Sequence, residues 1–308
     1  MNRPARLVPV RRSVLNRPPR IIASVALATW RVRDMFRPAR ACNVLLIVLT
    51  MFVCKTHCAA QDIRVYTTVS DVTRPGQPKP ISHSLTLFHA GKVYDYMEET
   101  GEVVIFEPVH HRFVILNKDY TATEVPFAEL NHFLDAARAD SLNYLKKIQM
   151  QGNPNADRLD ALVRFQLNPT FEEQEGPNGQ SLELKSDHLT YTVKTARIDS
   201  TQYVRQYLDY TDWAARLNFV LRPKSTYPEA RLKLNDALRR MEVLPVQVDL
   251  QLQTAEPVRY RAEHQFAWEF LSVDRSHISQ WERSLRSDKV RWVPFQQYQQ
   301  QALVQRSR

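Results

Sequence analysis

The sequence predicts an α+β protein: a single domain built on a strongly curved antiparallel sheet, an incomplete barrel, with helices packed on its concave face. Three observations carry this prediction. Runs of alternating apolar residues are joined by short Gly- and Pro-containing turns, which is the spacing of hairpins rather than of parallel crossovers. A stretch with a 3.6-residue period interrupts these runs in the middle of the chain. Long, strictly alternating runs then return near the C-terminus, so strands and helices are segregated along the sequence.

The elements follow in order. Strands are expected at 62–72, 81–90, 92–97, 102–107, 112–117 and, briefly, 121–125, with turns at 75–80, 90–92, 99–101 and 108–111. Pro126 suits a first helical position. Phe127, Leu130, Leu134, Ala137, Leu145 and Ile148 then keep helical spacing to about residue 149. A second helix at 157–166 carries Leu159, Leu162 and Val163 on one face, and strands are expected at 180–185 and 189–194. Asp199 or Ser200 is placed to cap a long helix ending near Leu221, whose stripe includes Tyr203, Tyr207, Tyr210, Ala214 and Leu217. The helix after Pro228 turns Leu234, Leu238 and Met241 inward. Val246, Val248, Leu250 and Leu252 alternate with polar residues, as do Val258, Tyr260, Ala262, His264, Phe266 and Trp268. This is the pattern of a sheet with one buried and one wet face. A last helix at 274–285 uses Ile278, Trp281 and Leu285, and the Gln-rich end at 296–308 reads as a frayed tail.

Charge separates the first 60 residues from the rest. The chain of 308 residues has a formal charge of +9. Residues 1–60 hold eleven of the 42 Lys and Arg and one of the 33 Asp and Glu, which leaves 31 basic and 32 acidic residues in 61–308, a net charge of −1. The basis for a nucleic-acid partner disappears with that subtraction. Cys42, Cys54 and Cys58 also precede residue 61, so the remainder has no thiol chemistry.

Residues 35–60 have the layout of a signal peptide: Arg37 and Arg40, an apolar run at 44–54, and Cys58-Ala59-Ala60 before a cleavage at Gln61. Eleven apolar residues span about 16 Å as a helix, half of a ~30 Å hydrocarbon layer, so no stable transmembrane anchor is expected. Residues 1–34 are expected to be an extra leader or untranslated, with Met35 as the start. The rival reading takes Arg11-Arg12 as a twin-arginine signal cleaved after Ala26-Leu27-Ala28. The triplets before Cys54 and Cys58 do not suit lipidation. The domain itself is expected at 61–295, in the periplasm or cell envelope.

Searches for chemistry give weak candidates. Six glycines leave no phosphate-cradling loop or dinucleotide fingerprint, and no nucleophile elbow or zincin helix occurs. His110-His111 beside Glu107 is a possible metal or catalytic turn, read first as an ordinary surface turn. His83 and His89 are about 20 Å apart along one strand, too far for one metal. His188 and His277 have local explanations, and Glu172, Glu173 and Glu175 read as a solvated acidic loop. No cofactor is called for. Tyr203, Tyr207 and Tyr210, with His264 and Trp268, are expected to be core, or else to line an apolar ligand groove.

The run GKVYDYMEETGEVVIFEPVHHRFVILN, 91–117, resembles the strand pattern of periplasmic lipoprotein carriers of the LolA type, with Glu107-Pro108 at the corner where that family has Asp/Glu-Pro. The resemblance implies an incomplete barrel covered by helices and an acyl-chain cargo. Its cargo-meeting arginine has no matching position here, so no site residue is carried over. The succession GKVYDYMEETGEVVIFEP, RFVILN, QYLDYTDWAARLNFVLRP and ARLKLNDALRRMEVLPVQVDLQL is similar to exported proteins of planctomycete-type bacteria, which implies export and a shared fold but no activity. The expected function is thus a non-enzymatic envelope protein that binds a lipid or lipoprotein acyl chain. An envelope scaffold with a filled core, and a hydrolase or metal enzyme at His110-His111, are the alternatives.

Overall fold

Alternation of apolar and polar residues resolves into strands throughout the computed structural model, which describes residues 62–74, 76–152, 154–222, 226–253 and 257–306. The leader, the signal peptide and its cleavage site lie outside these residues. The strands are β1 (Ile63–Asp71), β2 (Lys79–His89), β3 (Lys92–Met97), β4 (Glu102–Glu107), β5 (Arg112–Leu116), β6 (Thr121–Pro126), β7 (Glu172–Glu175), β8 (Ser181–Lys185), β9 (Leu189–Arg197), β10 (Val243–Leu252), β11 (Val258–Ala267) and β12 (Arg291–Trp292). They form one open sheet in the order β12-β6-β5-β4-β3-β2-β1-β11-β10-β9-β8-β7. Every pairing is antiparallel except that of β12 with β6.

The helices are α1 (Phe127–Met150), α2 (Ala156–Leu167), α3 (Thr201–Leu221), α4 (Glu229–Met241), α5 (Ser272–Leu285) and α6 (Phe295–Arg306). The class is α+β, and the described residues fall in one compact unit, Cys58–Arg308. Among them no helix is long and apolar enough to cross a membrane.

Hairpin turns hold the meander in register. Between β2 and β3, Ala90 and Gly91 both take positive φ, 50° and 76°, the type I′ geometry that matches strand twist. The Glu107-Pro108 corner enters a single 3₁₀ turn, Pro108–His110, ended by His111 in the left-handed conformation. The central strand β1 pairs with β2 on one side and with β11 on the other, where Val65 faces Phe266 and Val69 faces Ala262.

Neighbouring side chains on a strand point to opposite faces, and β2–β6 are apolar both ways. Phe88, Val104, Phe106, Phe113 and Val125 join the main core with α1, α3, α4 and α6. Leu85, Leu87, Val103, Ile105 and Val114 point the other way and meet Ile278 and Trp281 of α5. All six residues of β4 are buried as a result, the mark of a strand covered on both sides. In β8–β11 the inward residues Leu182, Val193 and Val248 join the main core, while Arg259, Glu263 and Gln265 on the far face are exposed.

Several elements differ from the sequence reading. That reading puts the helices on one face, whereas α5 packs on the opposite face of β2–β6 because both faces there are apolar. The stretch expected to fray forms α6, with Phe295 and Tyr298 buried and the Tyr298 hydroxyl bonded to Glu102. The supposed acidic loop is the edge strand β7, paired with β8 and tied by Glu173 to Arg240 at 2.7 Å. Ser200 occupies the N-cap of α3 without a side-chain capping bond.

Candidate functional site

The core around α3 is dense at one end and open at the other. Toward its N-terminal half α3 presents large rings. Tyr207 meets Phe266 edge-on at 5.2 Å between centroids, and Tyr210 meets Phe88 likewise at 5.8 Å. Two turns after Tyr207 the helix presents Ala215, and β11 presents Ala262 two residues after Tyr260. A cavity of about 260 Å³ remains there, bounded by β1, β9, β10 and β11 below and by α3 and the start of α4 above. Val69, Val248, Leu250, Ala262 and Phe219 give it a mainly apolar wall, and Arg231 is its charged member.

Tyr227 closes one side. Its ring stacks on Phe219 at 4.4 Å, and its hydroxyl donates to the Ala137 carbonyl oxygen at 2.9 Å. Behind Tyr227 lies a second recess of about 170 Å³, walled by Leu162, Phe165, Leu189 and Leu252. Phe165 and His188 separate that recess from an outer groove of about 650 Å³ that carries Arg138 and Arg164. The three spaces follow one another from the sheet outward, sharing walls.

The residues singled out in the sequence divide among different settings. Tyr207 and Tyr210 are 4% and 5% exposed and belong to the packed core, outside the cavity. Burial pushes the Tyr207 hydroxyl up to about 12. Tyr203 stacks on Trp268 at 5.1 Å and 13°, with Trp268 still 41% exposed. His264 lies beside Tyr207, with ring centroids 6.2 Å apart. Its Nδ1 is 2.9 Å from Thr67 Oγ1, while its Nε2 is buried and has no hydrogen-bond partner. Burial first, and then the charge of Arg231, push the imidazole down to about 3, so it is neutral at any ordinary pH.

At the His110-His111 turn, Glu107 is already engaged. Lys92 Nζ lies 2.7 Å from one of its oxygens and Arg112 Nε 2.8 Å from the other, with His110 Nδ1 at 3.4 Å. Burial opposes ionisation of Glu107, but the bonds from Lys92 and Arg112 outweigh it and hold the carboxyl below its usual range. The His111 ring turns away and lies edge-on to Phe127, 6.1 Å off. No group of three or more metal-ligating side chains occurs among the described residues. His83 pairs with Glu99 at 2.9 Å and His89 with Asp62 at 2.7 Å. His277 stacks on Trp281 and Tyr96, and Asp274 accepts from the Leu271 N–H at 2.8 Å.

Two inward-facing, half-buried charged groups went unread in the sequence. Asp95 is enclosed, its carboxyl raised by burial although Thr86 and Tyr210 donate to it at 2.8 Å each. It lies two residues after Val93 and so shares the inward face of β3. Arg231 stands three residues before Leu234 on the inward stripe of α4, and that spacing was its available signal.

No protein-family model matches this chain, and no curated protein matches it either.

Proposed function

We infer that the protein is an exported cell-envelope protein that binds an acyl chain or another apolar ligand, its role being binding rather than catalysis. The observation that carries this reading is the 260 Å³ cavity between α3, α4 and β9–β11. Ligand sites are mostly apolar concavities with a few placed polar groups, and this one has a mainly apolar wall with Arg231 in it. The second recess behind Tyr227 extends the apolar path, and the carrier-like pattern of 91–117 supports the same class of cargo. Mass spectrometry under native conditions, on protein purified from its own host, tests this. A co-purifying lipid is expected, and its absence argues against a carrier.

A second reading, an envelope scaffold with a filled core, is favoured by the rings packed around Tyr207 and Tyr210. Export belongs to both readings: N-terminal sequencing of secreted material is expected to begin at Gln61, and a start near Thr29 or retention of residues 1–60 would count against it.

A further inference from the structure

Arg231 enters the wall of the 260 Å³ cavity from the start of α4. Its Nε donates to Asn235 Oδ1 at 3.0 Å, and its guanidinium lies beside the Tyr207 hydroxyl. Among the described residues it forms no ion pair. Glu229, two residues earlier, pairs instead with Arg138 at 3.6 Å. Asp212, which Asn235 also contacts, is held by Arg239 at 2.8 Å. A partly buried guanidinium without a counter-charge is costly, and a carboxylate is the partner its fork fits best.

The second observation is the wall itself. Val69, Val248, Leu250, Ala262 and Phe219 offer the guanidinium no counter-charge, and among the described residues Arg231 is the one charged side chain that lines the cavity.

We propose that the cavity takes a single-chain carboxylate of the fatty-acid type, its head held by Arg231 and its chain lying along the apolar wall of Val248, Leu250 and Ala262. This rests on the apolar-ligand reading above and adds the head group to it. One chain suits a space of 260 Å³ with a narrow continuation.

The test uses purified protein, a neutral fluorescent probe (1-aminoanthracene) and two competitors of equal chain length, dodecanoate and dodecanol. Dodecanoate is expected to displace the probe at a concentration about ten-fold or more below that of dodecanol, the range of a charge-assisted pair. Arg231→Gln is expected to bring dodecanoate to the level of dodecanol and to leave dodecanol unchanged. Equal potency of the two on the unaltered protein overturns the head-group assignment, and this comparison does not depend on any variant folding. Dodecyl phosphate binding more tightly than dodecanoate overturns the carboxylate class. Failure of the protein to bind the probe or either competitor overturns the apolar-ligand reading itself.

Discussion

Tyr210→Phe isolates one hydroxyl at a buried carboxylate. The ring of Tyr210 sits edge-on to Phe88 at 5.8 Å and to Phe106 at 5.7 Å. Phenylalanine keeps those contacts, so no cavity forms. The change removes the donor 2.8 Å from Asp95 Oδ2 and leaves the Thr86 hydroxyl on Oδ1 and the charge of Arg222 acting on that side chain. A hydrogen bond to a charged group contributes about 1.5–3 kcal/mol, against about 1 kcal/mol for a neutral one. The pH dependence has a definite sign. Burial raises the Asp95 carboxyl above its ordinary value of 3.8. In the native protein the resulting penalty is therefore absent below the unfolded pKa, grows as pH rises toward the folded pKa, and is constant above it. Loss of the Tyr210 donor raises the folded pKa further. The variant is thus destabilised by about 1.5–3 kcal/mol where Asp95 is ionised, and by about 1 kcal/mol at a pH low enough to keep it protonated. Urea unfolding followed by tryptophan fluorescence, at pH 7 and at the lowest pH where both proteins fold, measures the difference. A cost below about 0.5 kcal/mol, or one equal at both pH values, refutes the role of this hydroxyl.

Other outcomes follow from the same structure. Leu238→Ala empties a side chain with 0% exposure and is expected to cost about 2–5 kcal/mol in urea unfolding. Ala262→Leu grows into the 260 Å³ cavity. Its stability is expected to stay within about 1 kcal/mol of the parent, where the same change in a filled core costs about 1–3 kcal/mol, and displacement of the neutral probe is expected to weaken. Glu242, at the C-terminus of α4, holds φ 54°. Glu242→Gly relieves a left-handed residue worth about 1–2 kcal/mol and gives back part of that through a freer unfolded chain, so a net gain of about 0.5–1 kcal/mol is expected in thermal unfolding.

The sheet and most helices were legible because hydrophobic period reports directly on local geometry. β10 and β11 were plain from strict alternation, and α3 from its ring-bearing stripe. Period reports that a face is buried, however, and not what buries it. Ile278 and Trp281 marked α5 as amphipathic without saying that it would cross to the other face of β2–β6. β7 escaped notice because EEQE has no apolar residue. It is held by backbone pairing with β8, which side-chain pattern does not record. The two-residue β12 is too short to have a period. At the cavity the tyrosines drew attention because rings are conspicuous, yet they fill space. The opening lies where Ala215 and Ala262 leave it unfilled, and the charged group facing it, Arg231, hides in a stripe read for leucines.

The place of β1 in the sheet has a kinetic consequence. This strand is the only bridge between the β2–β6 half and the β7–β11 half among the described residues, and its partner contact from Thr67 to His264 spans 197 residues. At about 5–20 residues per second the chain needs roughly 10–40 s after β1 emerges before β11 exists. During that interval the first meander can close by local hairpins, but one edge of β1 stays open as a template for any other strand. Assembly of the two halves is the long-range, slow event. Any truncation that removes β11 makes the open edge permanent, so the C-terminal third guards the protein against self-association as much as it completes the core.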